Sequence, residues 1–221
     1  MIIIGLTDVH GGLAAIERMG NIIGSADVVL FVGDITNFGK APETAQVVAP
    51  VIQAAKKTLA VSGNCDYPEV DAYLNRQGVN LHGRGEMLDG IGFVGLGGSL
   101  ITPFGTPNEY SESQLEEYLS RGIADLPERT DTPLVLVSHQ PPIRTQCDRI
   151  ATGAHVGSEA VRRFIEARQP LVCFTGHIHE SKAVDTIGPT HIINPGMLTH
   201  GHYAYAEISG QGVEVLEIRS I

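Results

Sequence analysis

Tryptophan is absent from this chain, aromatic residues make up only 5% of it, and basic side chains are outnumbered, with 15 Lys and Arg against 25 Asp and Glu. The resulting formal net charge of −10 argues against a broad nucleic-acid surface, which needs clustered Lys and Arg to displace counterions. It leaves room for a small phosphate substrate, because exposed charge is screened beyond about 8 Å at physiological salt and bound cations can reverse the local sign. No apolar run reaches the roughly 18 residues of a membrane span. The opening apolar segment, Ile2–Leu6, is too short for a signal peptide, so no membrane partner is expected. The three cysteines, at 65, 147 and 173, form no metal-type pair and leave one over from any disulfide, which favours a reducing cytoplasm. Against these shortages stands one abundance: nine histidines.

A length of 221 residues with 43% hydrophobic content predicts a single domain over 1–221 whose core needs no disulfide or structural metal. The most informative stretch is Asp27–Asp34. Val28–Val32 is too short for a helix and suits a strand buried on both faces. Gly33 ends it, and Asp34 falls just past its carboxyl end, where open α/β sheets bind their ligands. Met1–Leu6, Leu59–Val61, Leu134–Val137 and Leu171–Thr175 read as further strands. Helices are expected at Leu13–Ile23, Ala41–Lys57 (with Pro42 near its start), Pro68–Arg76, Ser111–Ile123 and Ser158–Arg168. Asp89-Gly90 between Glu86–Leu88 and Ile91–Leu96 signals a two-residue hairpin and an antiparallel middle. From Lys182 onward the chain reads as strands and tight turns, including Ser209-Gly210-Gln211-Gly212. Two loops, Gly97–Ser111 and Gln140–Gly157, are long for a compact domain, a length that usually marks function.

Five strand ends carry the chemistry: Asp8-Val9-His10, Gly33-Asp34, Gly63-Asn64, His139 and His177-Ile178-His179. In extended backbone, residues two apart face the same side, so Asp8 with His10, and His177 with His179, are expected to aim paired donors into one cavity. Two carboxylates, four imidazoles and one amide suit borderline divalent ions. Seven donors exceed the needs of one four-coordinate ion and suffice for two if a carboxylate bridges. His82 and His191 are read as surface or hydrogen-bonded core residues. His200 and His202, after Asn194-Pro195-Gly196, are placed at the rim or in solvent.

The order D-x-H, G-D, G-N-x-[DE], H, G-H-x-H along Asp8 to His179 resembles the calcineurin-like metallophosphoesterases. Gly176–Ser181, Asn194–Gly196 and Ser138–Pro142 look like a small prokaryotic branch related to cyclic-nucleotide phosphodiesterases. The resemblance implies an α/β fold, a four-layer α/β/β/α sandwich with two mixed β-sheets flanked by helices. It implies two divalent metal ions, manganese first among Mn, Fe, Ni, Co and Zn. One would be held by Asp8, His10, Asp34 and His179, the other by Asp34, Asn64, His139 and His177, with Asp34 bridging. A hydroxide between the two ions would then attack a phosphate ester, diesters ahead of monoesters. Asn64, Cys65 and Asp66 are the expected catalytic residues, and Arg144, Asp148 and His155 on the second long loop the expected substrate contacts. The Ser158 helix start is a further phosphate candidate, although an ordinary Ser cap is the stronger expectation. The chain departs from the family at Cys65, where most members have His, and at Asn37, where many have Asp. A thiol is a weak donor without positive charge, which is expected to favour activated diesters.

Two other readings compete. A fold that has lost catalysis and serves as an interaction scaffold would ordinarily lack some ligands, and all seven are present. The metal-dependent amidohydrolases also use His-x-His, but early in the chain, and their barrel needs about 250 residues. The expected partner is a small phosphate-ester substrate, and self-association into a homo-oligomer is left open.

Overall fold

The computed structural model describes residues 1–128 and 132–221. All five residues of Val28–Val32 are buried, because side chains alternate in direction along a strand and both directions meet a core. Val28, Leu30 and Val32 point between two sheets; Val29 and Phe31 point under a layer of helices. Leu134–Ser138 behaves alike in the second sheet, with Val135 and Val137 facing inward and Leu136 facing the opposite helices.

The first sheet runs in the order Gly212–Ser220, His202–Ser209, Ile2–Leu6, Val28–Val32, Thr58–Val61. Its last three strands are parallel, whereas His202–Ser209 is antiparallel to both of its neighbours. The second sheet runs Ala183–Ile187, Thr190–Asn194, Val172–Phe174, Leu134–Ser138, Ile91–Leu96, Gly85–Leu88, with four parallel strands between two antiparallel edges. Helices Leu13–Arg18, Gly20–Ser25, Ala41–Ala54 and Pro68–Arg76 cover the first sheet. Glu112–Ala124 and Glu159–Arg168 cover the second. The architecture is the four-layer α/β/β/α sandwich, with Phe93 and Phe174 among the side chains filling the space between sheets. Truncating such a ring to Ala costs about 3–5 kcal/mol.

Four local expectations change. Leu13–Ile23 is two short helices, because the backbone at Met19 flattens to ψ −1° ahead of Gly20, a poor helix residue. The next helix stops at Ala54 rather than Lys57, since Thr58 must pair with Val29 and Ala55–Lys57 make the crossing. The loop Gly97–Ser111 contains a small parallel pair, Ser99–Leu100 with Glu109–Tyr110. The tail divides between sheets: its first hairpin extends the second sheet and its last hairpin the first. The Asp89-Gly90 hairpin forms as expected, both residues having the positive φ that its turn requires, 48° and 83°. Among the described residues no helix is long and apolar enough to cross a membrane.

Candidate metal centre

Strand ends from both sheets converge. Asp8, His10, Asp34 and His179 each offer a ligand atom, and all four atoms lie within 4.8 Å of one another. His179 Nε2 is 3.1 Å from Asp8 Oδ1 and 3.3 Å from His10 Nε2, which in turn is 3.7 Å from Asp34 Oδ2. Asp8 is wholly buried. Burial works against its charge, but the hydrogen bond from His179, the nearby His139 and the Thr7 hydroxyl (2.6 Å to Oδ2) hold it well below the usual carboxylate range. The same hydrogen bond raises His179 above its ordinary 6.5, while burial lowers His10 despite the carboxylates of Asp34 and Asp8.

A second group of donors shares Asp34. His139 is fully buried, and its Nδ1 lies 2.8 Å from the carbonyl of Val32. A carbonyl only accepts, so Nδ1 carries the proton and Nε2 turns outward. Nε2 lies 3.0 Å from Asn64 Oδ1 and 3.5 Å from Asp34 Oδ1. The His177 ring stands edge-on to His139 at a centroid distance of 5.2 Å, and burial and the neighbouring His139 push its pKa down to about 4. Asp34 thus sends Oδ2 toward the first group and Oδ1 toward the second.

The donors fit divalent cations. Oxygen and imidazole atoms face each other with few protons between them, and His10 Nδ1 is buried without a hydrogen-bond partner among the described residues, so nothing on that side dictates the ring's orientation. Asp8, His10, Asp34 and His179 would hold one ion; Asn64 and His139 lie on the Oδ1 side of Asp34, with His177 packed against His139.

The reason these pairs converge differs from the sequence expectation. The backbone is not extended there: Asp8, His10, Asp34 and His177 all have left-handed φ, 51°, 46°, 47° and 67°. Such a conformation costs a non-glycine residue about 1–2 kcal/mol, and it persists where surrounding bonds over-determine it. Those bonds are present: Asp8 N to the Gly33 carbonyl at 3.2 Å, His10 N to Asp34 O at 2.8 Å and Gly11 N to Ile35 O at 2.9 Å, with His177 N donating to Asp8 Oδ2 at 3.2 Å. Two motif glycines are required by close approach. A Cβ on Gly33 would overlap the His139 ring, and one on Gly63 would overlap Asp34.

Other expected site residues have different employment. Asp66 is buried and accepts from Gly63 N (2.8 Å), Ile35 N (3.0 Å), Thr36 N (2.8 Å) and the Thr36 hydroxyl (2.7 Å), tying the Asp34 loop to the Asn64 loop. Burial and the nearby Asp34 charge push its pKa up to about 6. It positions other groups and has no oxygen free for a substrate. Cys65 is half-buried, its backbone N–H donates to Asp34 Oδ1 at 2.8 Å, and burial together with Asp34 raises its thiol pKa, so the thiol stays protonated. Asp148 is wholly buried and accepts from the backbone N–H groups of Arg144 (3.1 Å), Thr145 (2.8 Å) and Gly157 (3.0 Å), and its Oδ1 lies 2.7 Å from His155 Nδ1. It is the hub of the second long loop rather than a substrate contact. Arg144 reaches Glu159 at 2.9 Å. The N-terminus of the Glu159–Arg168 helix is filled by Glu112, which accepts from Ser158 Oγ (2.6 Å), Glu159 N (2.9 Å) and Ala160 N (2.9 Å), so no phosphate is needed there. His82 packs between Tyr110 and Tyr118 and accepts from Gly97 N at 2.8 Å. His202 lies 3.2 Å from Lys182 Nζ. Asn37 is exposed. Sequence reasoning did not single out Thr7, Thr36, Thr106 or Glu109, ordinary polar residues whose contacts exist only in the fold.

This fold and this donor set define a class of metal-dependent phosphoesterases, and the comparisons agree. A family model described as calcineurin-like phosphoesterase matches residues 1–181, and the chain belongs to that family. An uncharacterized protein of Methanocaldococcus jannaschii is 39% identical over 199 residues, covering 88% of each chain. Among solved structures, TT1561 of Thermus thermophilus has a TM-score of 0.77 at 20% identity, covering 99% of this chain and 98% of its own. Phosphopantetheinyl hydrolase from Mycobacterium tuberculosis has a TM-score of 0.61 at 14% identity, covering 89% of both. These two structures share the fold. The family adds hydrolysis of phosphate esters with divalent metal ions.

Proposed function

We propose that the protein is a binuclear phosphodiesterase, a single metallophosphoesterase domain acting on a small phosphate ester in a reducing cytoplasm, with manganese as the first candidate metal. The observation that carries the two-ion reading is the division of Asp34, one oxygen 3.7 Å from His10 and the other 3.5 Å from His139. When bound, two divalent cations supply Lewis acidity that activates a water and neutralises charge on phosphoryl oxygens. The chain's own residues supply the rest. Val32 fixes the His139 tautomer, Thr7 and His177 N–H orient the Asp8 carboxylate, and Asp66 joins the loops that carry Asp34 and Asn64. Outer partners of this kind are each worth about 10–100-fold in metal affinity or activity.

The expected preference for esters with activated leaving groups rests on Cys65. Its thiol, held protonated beside Asp34, brings no positive charge to a leaving alkoxide, which favours activated esters over poor leaving groups. The test is to strip the purified protein and reload it with Mn, Ni, Fe or Zn, then assay aryl monoesters, aryl diesters and cyclic nucleotides beside Asp34→Asn. The expected result is two ions per chain, aryl diesters turned over fastest and Asp34→Asn nearly inactive. Full activity in Asp34→Asn would be incompatible with a shared carboxylate, and metal uptake without any turnover would favour the scaffold reading.

A further inference from the structure

An asparagine can meet a metal only through its carbonyl oxygen, yet its amide can be turned either way round, so something must fix its orientation. We infer that Thr106 and Glu109, on the first long loop, are positioning residues that lock the amide of Asn64 with its oxygen toward the second cation; this rests on the two-ion reading above.

The proton inventory leads there. Glu109 Oε1 is approached by the Thr102 hydroxyl at 2.6 Å, Thr106 N at 2.8 Å and the Thr106 hydroxyl at 2.5 Å. An ionised carboxylate has no proton to donate, so the single hydroxyl proton of Thr106 goes to Glu109. Burial works against the Glu109 charge, but the bonds from Thr102 and Thr106 outweigh it and hold its pKa below the ordinary value. Thr106 Oγ1 then has only lone pairs to offer Asn64, 3.2 Å away, and the group facing it must be the NH₂. The other contact of that NH₂ is the Cys65 sulfur at 3.7 Å, a weak acceptor compatible with that orientation. Asn64 Oδ1 is thereby left facing His139 Nε2 at 3.0 Å, whose opposite nitrogen has already given its proton to Val32. Two lone-pair atoms at that separation repel unless a positive centre joins them, and a divalent cation does so.

The loop is registered on the same strand end. Asn108 donates from Nδ2 to Ser62 Oγ and the Gly63 carbonyl, both at 3.0 Å, and from its backbone to Asn64 O at 3.2 Å. Gly98 N adds a bond to Ser62 O at 2.9 Å. Ile101 and Phe104, by contrast, are 75% and 84% exposed. The loop therefore holds its polar side against Asn64 and contributes little there to the apolar core.

The test is Mn²⁺ titration of metal-free protein by calorimetry, with electron paramagnetic resonance to separate coupled pairs from isolated ions. Wild type is expected to bind two ions and to show the exchange-coupled signal. Thr106→Val, which keeps the shape and removes the hydroxyl, is expected to weaken the second binding event by about 10–100-fold and to convert the signal to that of a single ion. The first event serves as an internal check on folding and is expected to be unchanged. Thr106→Ser should restore both signatures. Glu109→Ala should act like Thr106→Val, because without the acceptor at Oε1 the Thr106 hydroxyl proton is free to donate to Asn64 and invert the amide. Thr106→Val binding two ions with wild-type affinities would overturn the assignment. A wild-type protein binding one ion would overturn the two-ion reading first, and this assignment with it.

Discussion

The two sheets bring unlike chemistry to the same place. The first contributes Asp8, Asp34, Asn64 and only one imidazole, His10; the second contributes His139, His177 and His179 and no oxygen ligand. Neither set is balanced by itself. Two carboxylates, 0% and 2% exposed, need positive charge nearby, and three imidazoles offer nitrogen lone pairs to a cation. Buried charge is tolerated when it is paired or bound to metal, so the centre exists only where the sheets face each other. Each expected ion draws ligands from both.

The difference can be broken most severely at Asp34. Asp34→Ala removes the carboxylate that, among the described residues, faces both groups, and activity should fall by well over about 100-fold, the upper end for losing a mere outer partner. Metal analysis should show both ions lost. Ligands of the second sheet should separate the two: His179→Ala is expected to lose the ion of Asp8 and His10, and His139→Ala the other, each leaving one ion per chain.

Next in size is a carboxylate that only resembles these. Asp148→Ala leaves several buried N–H donors without a partner, a loss of roughly 3 kcal/mol. That corresponds to a melting temperature lower by roughly 6–12 °C at this chain length. Metal stoichiometry should be unchanged, and a lost ion would show that the loop hub and the centre are coupled.

The asymmetry also predicts a pH signature. His179 has its pKa raised above 6.5 by Asp8, whereas His177 is pushed down to about 4. In the metal-free protein the raised His179 contributes stability that is complete below pH 6.5 and lost as pH rises through the higher folded value. Metal must displace that proton, so affinity at the first group should rise with pH above 6.5, while His177 demands no proton release in that range. Chelated protein melted across roughly pH 6–9 should lose stability toward the alkaline end, and His179→Asn should flatten the slope. The smallest expected effect is Cys65→His, which should raise alkyl ester hydrolysis relative to aryl by several-fold through a better proton donor. An unchanged ratio would remove Cys65 as the explanation for a preference for activated leaving groups.

Much of this centre was legible because buried strands write themselves as apolar runs, and each run here ends in a polar residue at the ligand edge. Val28–Val32 followed by Gly33-Asp34 is the clearest case. The left-handed backbone of Asp8, His10, Asp34 and His177 was not legible, since Asp and His are compatible with several conformations and only cross-loop bonds select this one. Asp66 and Asp148 look like a catalytic group and a substrate contact in the sequence for the same reason that they make good loop hubs: a carboxylate has lone pairs for several partners, and the sequence does not show that backbone N–H groups take them. Thr106 is 42 residues from Asn64, and no local pattern marks such a pair. The split of the tail between sheets was likewise hidden, because hairpin sequences specify their own turn but not the neighbour they will join.

That split has a consequence for how the molecule comes into being. Ile2–Leu6, which leads into Asp8, lies beside His202–Ser209, with Ile2 opposite Glu207 and the terminal amine donating to Ile208 O at 2.8 Å. Ile2–Leu6 leaves the ribosome well before His202–Ser209, so its open edge waits for that later strand before it is covered. Pairings this remote in sequence are slow to form, and a nascent chain must keep that apolar edge from other partners in the meantime.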